Sequence, residues 1–282
     1  MELDAGTFLL QLAAGGLLFC WVTTRRREVG IGYGWLLRGV YGVLALGGAV
    51  VLLGDEHVLA ATLALTTVAA TALALGVSIA RRGAGVRGQA ELRAERKARV
   101  GAMVGRGDEA VEVEPVAGEF PPALDLIAPV AGFAGLLAAA EFAGGPYALA
   151  AVRLVVGAAF LGVVSDAMLL GHWYLVQPGL RRDAVKELVV CTAALWPFEI
   201  AVFVIPTGMV QVFSGTVDDG YDGLLAWVWL VCAVTTLGLL VMTWFALKER
   251  AYSAVMAATG LLYLAILTAF GMDLIPRAVL SP

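Results

Sequence analysis

Charge, histidine and cysteine are all scarce in this chain, and each scarcity excludes something. Charged residues make up 15% of the 282 positions and apolar residues 60%, with a mean hydropathy of +0.86. An average soluble domain carries about 25% charge and about 45–50% apolar residues, so a soluble fold with one core is excluded. The three cysteines, Cys20, Cys191 and Cys232, all fall inside apolar stretches and none belongs to a CxxC pair. That excludes a disulfide framework, a c-type haem and a thiolate zinc site, and leaves inert thiols. No HExxH, GxSxG, Walker A, Rossmann or EF-hand pattern occurs in a supporting context. The links between apolar stretches leave no room for a separate catalytic domain. The net charge is −4, and the basic residues are segregated along the chain, so no nucleic-acid partner is expected.

What is abundant is long apolar runs, at roughly 7–24, 35–53, 58–80, 123–143, 147–175, 187–213, 223–246 and 252–275. Each has about the length needed to cross a ~30 Å hydrocarbon core. The first is preceded by Met-Glu-Leu-Asp, whereas a signal peptide opens with positive charge; it reads as a retained helix. Basic residues cluster at Arg25 to Arg27, across 81–106, at Arg181, Arg182 and Lys186, and at Lys248 and Arg250. Acidic links carry Asp55, Glu56, Asp218, Asp219 and Asp222. Eight crossings place every Lys and Arg except Arg153 and Arg277 on one side. Cytoplasmic links retain Lys and Arg, so the expectation is an all-α integral membrane protein, a bundle of eight transmembrane helices with both termini outside. The Ala/Gly/Val-rich usage fits the bacterial plasma (inner) membrane. The lipid bilayer is the expected partner; a homo-oligomer or the subunits of a membrane complex are the protein partners such a bundle admits.

The link 81–122 is the one long link, basic in its first half and acidic in its second, and it is expected to be cytoplasmic. The whole chain reads as one transmembrane domain. Short matches between runs 1 and 5 (Leu17 to Trp21 with Leu169 to Trp173) and between runs 4 and 8 (Gly135-Leu136-Leu137 with Gly260-Leu261-Leu262) raise the prospect of parallel halves, 1–143 and 147–282.

Ionisable groups inside a bilayer are costly, about 2.5–3.5 kcal/mol at mid-helix on insertion scales, so each invites an explanation. Asp166 lies about 10 Å from Trp173 at the 1.5 Å rise of a helix, and Glu199 about 18 Å into run 6. Runs 5 and 6 are joined by a short turn, so the two carboxyls are expected to face each other near mid-membrane as a proton or cation site. Glu199 sits in Trp196-Pro197-Phe198-Glu199, with Pro206 further on. Pro197 cannot donate to the carbonyl of Ala193, nor Pro206 to that of Val202, so run 6 is expected to be kinked or partly unwound and to line a cavity.

His172 and Trp173 stand near the inner interface, where they read as a cytoplasmic entrance or as a rest for a quinone headgroup, the one cofactor considered. His57 falls on the opposite side, which excludes a haem between the two histidines. Arg153 is expected to pair structurally with Glu141, with Asp273 as a second candidate. Gly30-Ile31-Gly32-Tyr33-Gly34 resembles a potassium filter, but it follows Arg-Arg-Arg-Glu rather than a pore helix and reads as a glycine-rich turn. Two functions follow: a proton- or cation-linked transporter built on Glu199 and Asp166, or a membrane subunit of a redox complex with a quinone near His172.

Overall fold

Every apolar run folds as helix, the form in which a segment satisfies its own N–H and C=O groups without water. The computed structural model describes residues 4–26, 28–82, 120–177, 180–206, 208–249 and 251–280. The helices are α1 (Ala5–Thr24), α2 (Ile31–Gly54), α3 (Val58–Ala80), α4 (Ile127–Ala139, preceded by a 3-10 turn over Pro122–Leu126), α5 (Tyr147–Val176), α6 (Asp183–Val204), α7 (Gly208–Phe213), α8 (Leu224–Lys248) and α9 (Tyr252–Val279). Eight segments are long and apolar enough to cross a membrane: α1, α2, α3, the 3-10 turn with α4, α5, α6, α8 and α9. Most of the link 81–122 lies outside the described residues.

Local chemistry sets the ends. The Asp4 carboxylate accepts from the backbone N–H of Gly6 (3.1 Å) and of Thr7 (2.7 Å), capping two of the donors that the start of α1 leaves without helical partners. Pro122 opens the turn before α4, at a position whose N–H would be unpaired in any case.

Three prolines test the helices, with three results. Pro197 is carried within α6 without interrupting it. Pro206 ends the helix: α6 stops at Val204 and α7 resumes at Gly208, so of the two breaks expected in run 6 only the second forms. The carbonyl that Pro206 cannot serve, Val202, accepts instead from Arg153 Nε on α5 at 2.7 Å. Pro276 is carried within α9, which runs on to Val279, past the expected end of run 8. The carbonyl it leaves free, Met272, accepts from the Trp229 indole N–H on α8 at 3.1 Å. Neighbouring side chains thus replace two missing backbone donors, which is the condition for tolerating proline at membrane depth.

The helices pack in two groups of four. In one, α1, α2, α3 and α4 contact one another in sequence, and α4 returns to α1; in the other, α5, α6, α8 and α9 close in the same way. The groups join chiefly through α1 against α5, the two spans that bury the largest share of their surface. Small residues explain the contact. A Cβ added at Gly15 would lie 1.7 Å from the Ala158 carbonyl oxygen, and one at Gly162 would lie 2.2 Å from the Gly15 carbonyl carbon. Backbone rests on backbone, as small-residue spacing in membrane helices allows.

One end of the bundle carries both termini and the turns after α2, α4 and α7; the other carries the Arg-rich links. At the Arg-rich end, Arg25 reaches Glu187 at 2.5 Å, and the Arg182 guanidinium donates to the carbonyls of Glu249 and Ala251. The first contact ties the two groups together, and the second ties two links within the group of α5, α6, α8 and α9.

Candidate functional site

Buried polar side chains gather in two clusters at different depths. Nearer the Arg-rich end, Arg38 of α2 and Asp125 of the 3-10 turn form a bidentate pair, with Nε to Oδ1 at 2.8 Å and NH2 to Oδ2 at 2.6 Å. The Phe120 ring covers the guanidinium, its centroid 4.9 Å away. A small cavity of about 60 Å³ beside this pair is lined by Thr24, Gly30, Gly34 and Phe120, among others.

Asp166 lies deeper along α5 and is fully buried. The Tyr41 hydroxyl donates to its Oδ1 at 2.5 Å, and Tyr33 reaches its backbone carbonyl at 3.4 Å. Both tyrosines come from α2, so Asp166 bridges the two helix groups.

The second cluster lies toward the terminus end. Asp273 and Arg277, one turn apart on α9, form another bidentate pair at 2.8 and 2.7 Å. Glu199 of α6, fully buried, lies beside Asp273 and within electrostatic reach of Arg277. Neither Glu199 oxygen has a hydrogen-bond partner of acceptable geometry, and the same holds for both amide atoms of the fully buried Gln11 on α1. Arg153 and Arg277 both stand over the Phe203 ring, at 5.7 and 5.8 Å from its centroid. Above this cluster, toward the terminus end, is a cavity of about 460 Å³ lined by Asp4, Thr7, Asp55, His57, Leu154 and Arg277, among others. His57 stacks on Phe142 at its wall, with centroids 3.9 Å apart.

Several expectations change. Asp166 and Glu199 are not brought together: α5 presents Asp166 to Tyr41 of α2, while α6 presents Glu199 to Asp273 of α9. Helix adjacency was read correctly, but helix rotation is a packing result. Arg153 does not pair with Glu141, which is exposed in the turn after α4. Its Nε and NH2 donate to the carbonyls of Val202 and Ile205, at 2.7 and 3.3 Å, because the Pro206 break left backbone acceptors nearer than any carboxylate. Asp273, the alternative partner, is already taken by Arg277. His172 is exposed and bonds Tyr263 of α9 at 3.0 Å, whereas Trp173 packs against Tyr33 of α2 at 5.9 Å and donates to Gln177 at 3.1 Å. The two neighbours therefore face different helices.

The sequence reading misses five participants. Asp125 lies at the edge of run 4, Arg38 reads only as an inner-side charge, and Arg277 lies past the end of run 8. Tyr41 and Gln11 were hidden in runs that were otherwise apolar. The four-residue spacing of Asp273 and Arg277 was a usable signal of an i, i+4 pair. Among the described residues, no group of three or more His, Cys, Asp or Glu side chains is placed to hold a metal ion. No known protein family, curated protein or solved structure matches the chain.

Proposed function

We propose that the protein is a multi-pass proton-linked transporter of the bacterial plasma membrane, with Glu199 as the group that takes up and releases the proton. The observation that carries this reading is a fully buried carboxyl with no hydrogen-bond donor, beside a second carboxyl whose two oxygens are already held by Arg277. The Arg277 guanidinium bonds only one of the two carboxyls, and Arg153, across the Phe203 ring, is spent on the carbonyls of Val202 and Ile205, so Glu199 has no counter-charge bonded to it. A buried charge without a partner is expensive. A proton on Glu199 removes that charge and supplies the missing donor. A metal cation in the same place would meet the Arg277 guanidinium, so the proton is favoured as the coupling species.

The Arg-rich end is assigned to the cytoplasm by its retained Lys and Arg, so the larger cavity opens to the outside. The arrangement of helices in two groups of four supports parallel halves that move against each other about the α1–α5 contact. In this reading Asp166, held by Tyr41, is the next polar station toward the cytoplasm, about 20 Å further along α5 than Arg153 at 1.5 Å per residue.

The test is proton flux into vesicles holding the purified protein and an internal pH dye, driven by an imposed membrane potential. Glu199→Gln keeps the shape of the side chain and removes the titrating group. Flux is expected to fall by about a hundredfold, the scale of a positioned proton-transfer group. Flux equal to wild type would remove Glu199 from the mechanism. The redox alternative draws only on the exposed His172–Tyr263 pair, and a quinone retained in native mass spectra of the protein would favour it.

A further inference from the structure

The larger cavity has walls of three kinds. Its buried part is lined by Arg277 and Leu154, 3% and 1% exposed. Asp273 engages Nε and NH2 of Arg277, which leaves the N–H donors of NH1 for another acceptor. The more accessible part is lined by two carboxylates, the exposed Asp55 in the turn after α2 and the half-buried Asp4 at the start of α1. Phe8 and Phe142 add aromatic surface. At about 460 Å³ the space falls within the range of small-molecule sites, about 300–1,000 Å³.

The charges select what fits this space. A metal ion would meet the guanidinium, and among the described residues no group of three or more His, Cys, Asp or Glu is placed to hold one. A simple anion would meet Asp4 and Asp55. An organic cation would suit those carboxylates but would face Arg277. An uncharged apolar molecule would cover the remaining guanidinium donors without bonding them, which is costly. A molecule with a carboxylate, an ammonium and an apolar body uses all three kinds of wall, and guanidinium N–H groups are strong donors to carboxylates. We propose that the cavity binds an amino acid zwitterion, with its carboxylate on Arg277, its ammonium on Asp4 and Asp55, and its apolar body against Phe8 and Phe142. This names a substrate class for the proposed transporter. A carboxylate brought to Arg277 adds negative charge near Glu199, and a proton offsets it, so substrate and proton are expected to travel together. The coupling rests on the reading of Glu199 as the proton carrier; the binding site does not.

The test is calorimetric titration of the full chain in lipid nanodiscs, with empty discs subtracted. L-Leucine carries its two charges on one carbon, and its isomer 6-aminohexanoate carries them at opposite ends. Hexylamine and hexanoate keep one charge each. At least one zwitterion is expected to bind about tenfold or more tighter than both single-charge molecules. Equal binding of hexylamine removes Arg277 from the site, equal binding of hexanoate removes the carboxylates, and either overturns the proposal. So does heat from none of the four, which leaves a solvent-filled vestibule only. The double variant Asp4→Asn with Asp55→Asn is expected to keep the fold, because Asn caps a helix as well as Asp and Asp55 is exposed. Zwitterion affinity should fall about fivefold for each carboxylate removed, the upper end for accessible ion pairs, while hexanoate affinity should not fall. Equal losses for both ligands would show a disturbed fold and overturn the assignment of the carboxylates; Asp55→Asn alone serves should the double variant not fold. Zwitterion binding by a protein that carries no proton current keeps the site and overturns the proposed function. Proton flux that depends on Glu199, in a protein that binds neither zwitterion, overturns the site alone.

Discussion

The two helix groups each bury an Asp–Arg pair, and as isolated ion pairs they are nearly indistinguishable. Arg38–Asp125 is bidentate at 2.8 and 2.6 Å, with side chains 4% and 6% exposed; Arg277–Asp273 is bidentate at 2.8 and 2.7 Å, with side chains 4% and 0% exposed. Their surroundings differ. The first is closed in charge: one guanidinium meets one carboxylate, and the Phe120 ring lies over the guanidinium. The second has a surplus, because Glu199 and Gln11 stand next to it with polar atoms that bond to no protein group. A buried ion pair is therefore a poor marker of function in itself, since its main effect is to make the burial of charge tolerable. The surplus marks the site.

The largest effects should separate the two pairs. Asp125→Leu leaves the Arg38 guanidinium buried without its counter-charge and should cost about 3–5 kcal/mol of stability. The double variant Arg38→Met with Asp125→Leu should recover most of that loss, because an apolar pair of similar volume replaces both charges. Glu199→Gln should do the opposite, leaving the melting temperature in detergent unchanged or raised while flux is lost. Thermal unfolding of the three variants decides the matter. If Asp125→Leu melts with wild type, the closed pair is not structural and the contrast fails.

The fold was far more legible than the site. Helix number and approximate bounds follow from apolar runs and the thickness of hydrocarbon, which act on each segment alone. Partner choice depends on rotation about each helix axis, and apolar runs specify that weakly when small residues occur all round. Asp166 and Glu199 show this: their depths and adjacent helices were readable, but each turned to a different neighbour. The prolines show it too. Pro206 was recognised as a break because the missing N–H is local chemistry. That Arg153 would serve Val202, or that Trp229 would let α9 continue through Pro276, depends on residues far away in the chain. The apolar run 252–275 accordingly ends before Pro276, and Arg277 falls outside it although α9 positions it.

Arg153 sharpens the comparison, because it lies close to the open cluster yet has a structural task. Arg153→Met should cost about 1.5–3 kcal/mol, the range for hydrogen bonds made by a charged donor to buried acceptors. Glu141→Gln should change stability by less than about 0.5 kcal/mol, as exposed substitutions usually do. Unfolding of both variants checks this. Equal losses from the two would restore the Glu141 ion pair and remove the carbonyl-capping role.

The smallest effect concerns a carboxylate that is the reverse of Glu199. Asp219, outside the spans, accepts from the backbone N–H groups of Tyr221 (3.0 Å), Gly223 (2.9 Å) and Leu225 (2.9 Å), which fastens the link 214–223 to the start of α8. Desolvation pushes its pKa up, but the bonds from Gly223, Tyr221 and Leu225 together outweigh that and hold it below the ordinary aspartate value. A depressed carboxyl pKa contributes stability above the unfolded value and loses it as pH falls through the folded one. Asp219→Asn should therefore melt slightly below wild type at neutral pH, and the gap should close in acid, below the usual aspartate range. Glu199→Gln should show no such convergence in melting, because no donor holds Glu199 in its charged form. Melting curves of both variants at neutral and acid pH would test whether donors, rather than burial, set the difference between these two carboxyls. A gap at Asp219 that stays constant with pH would show that the asparagine loses packing and not charge-dependent hydrogen bonds.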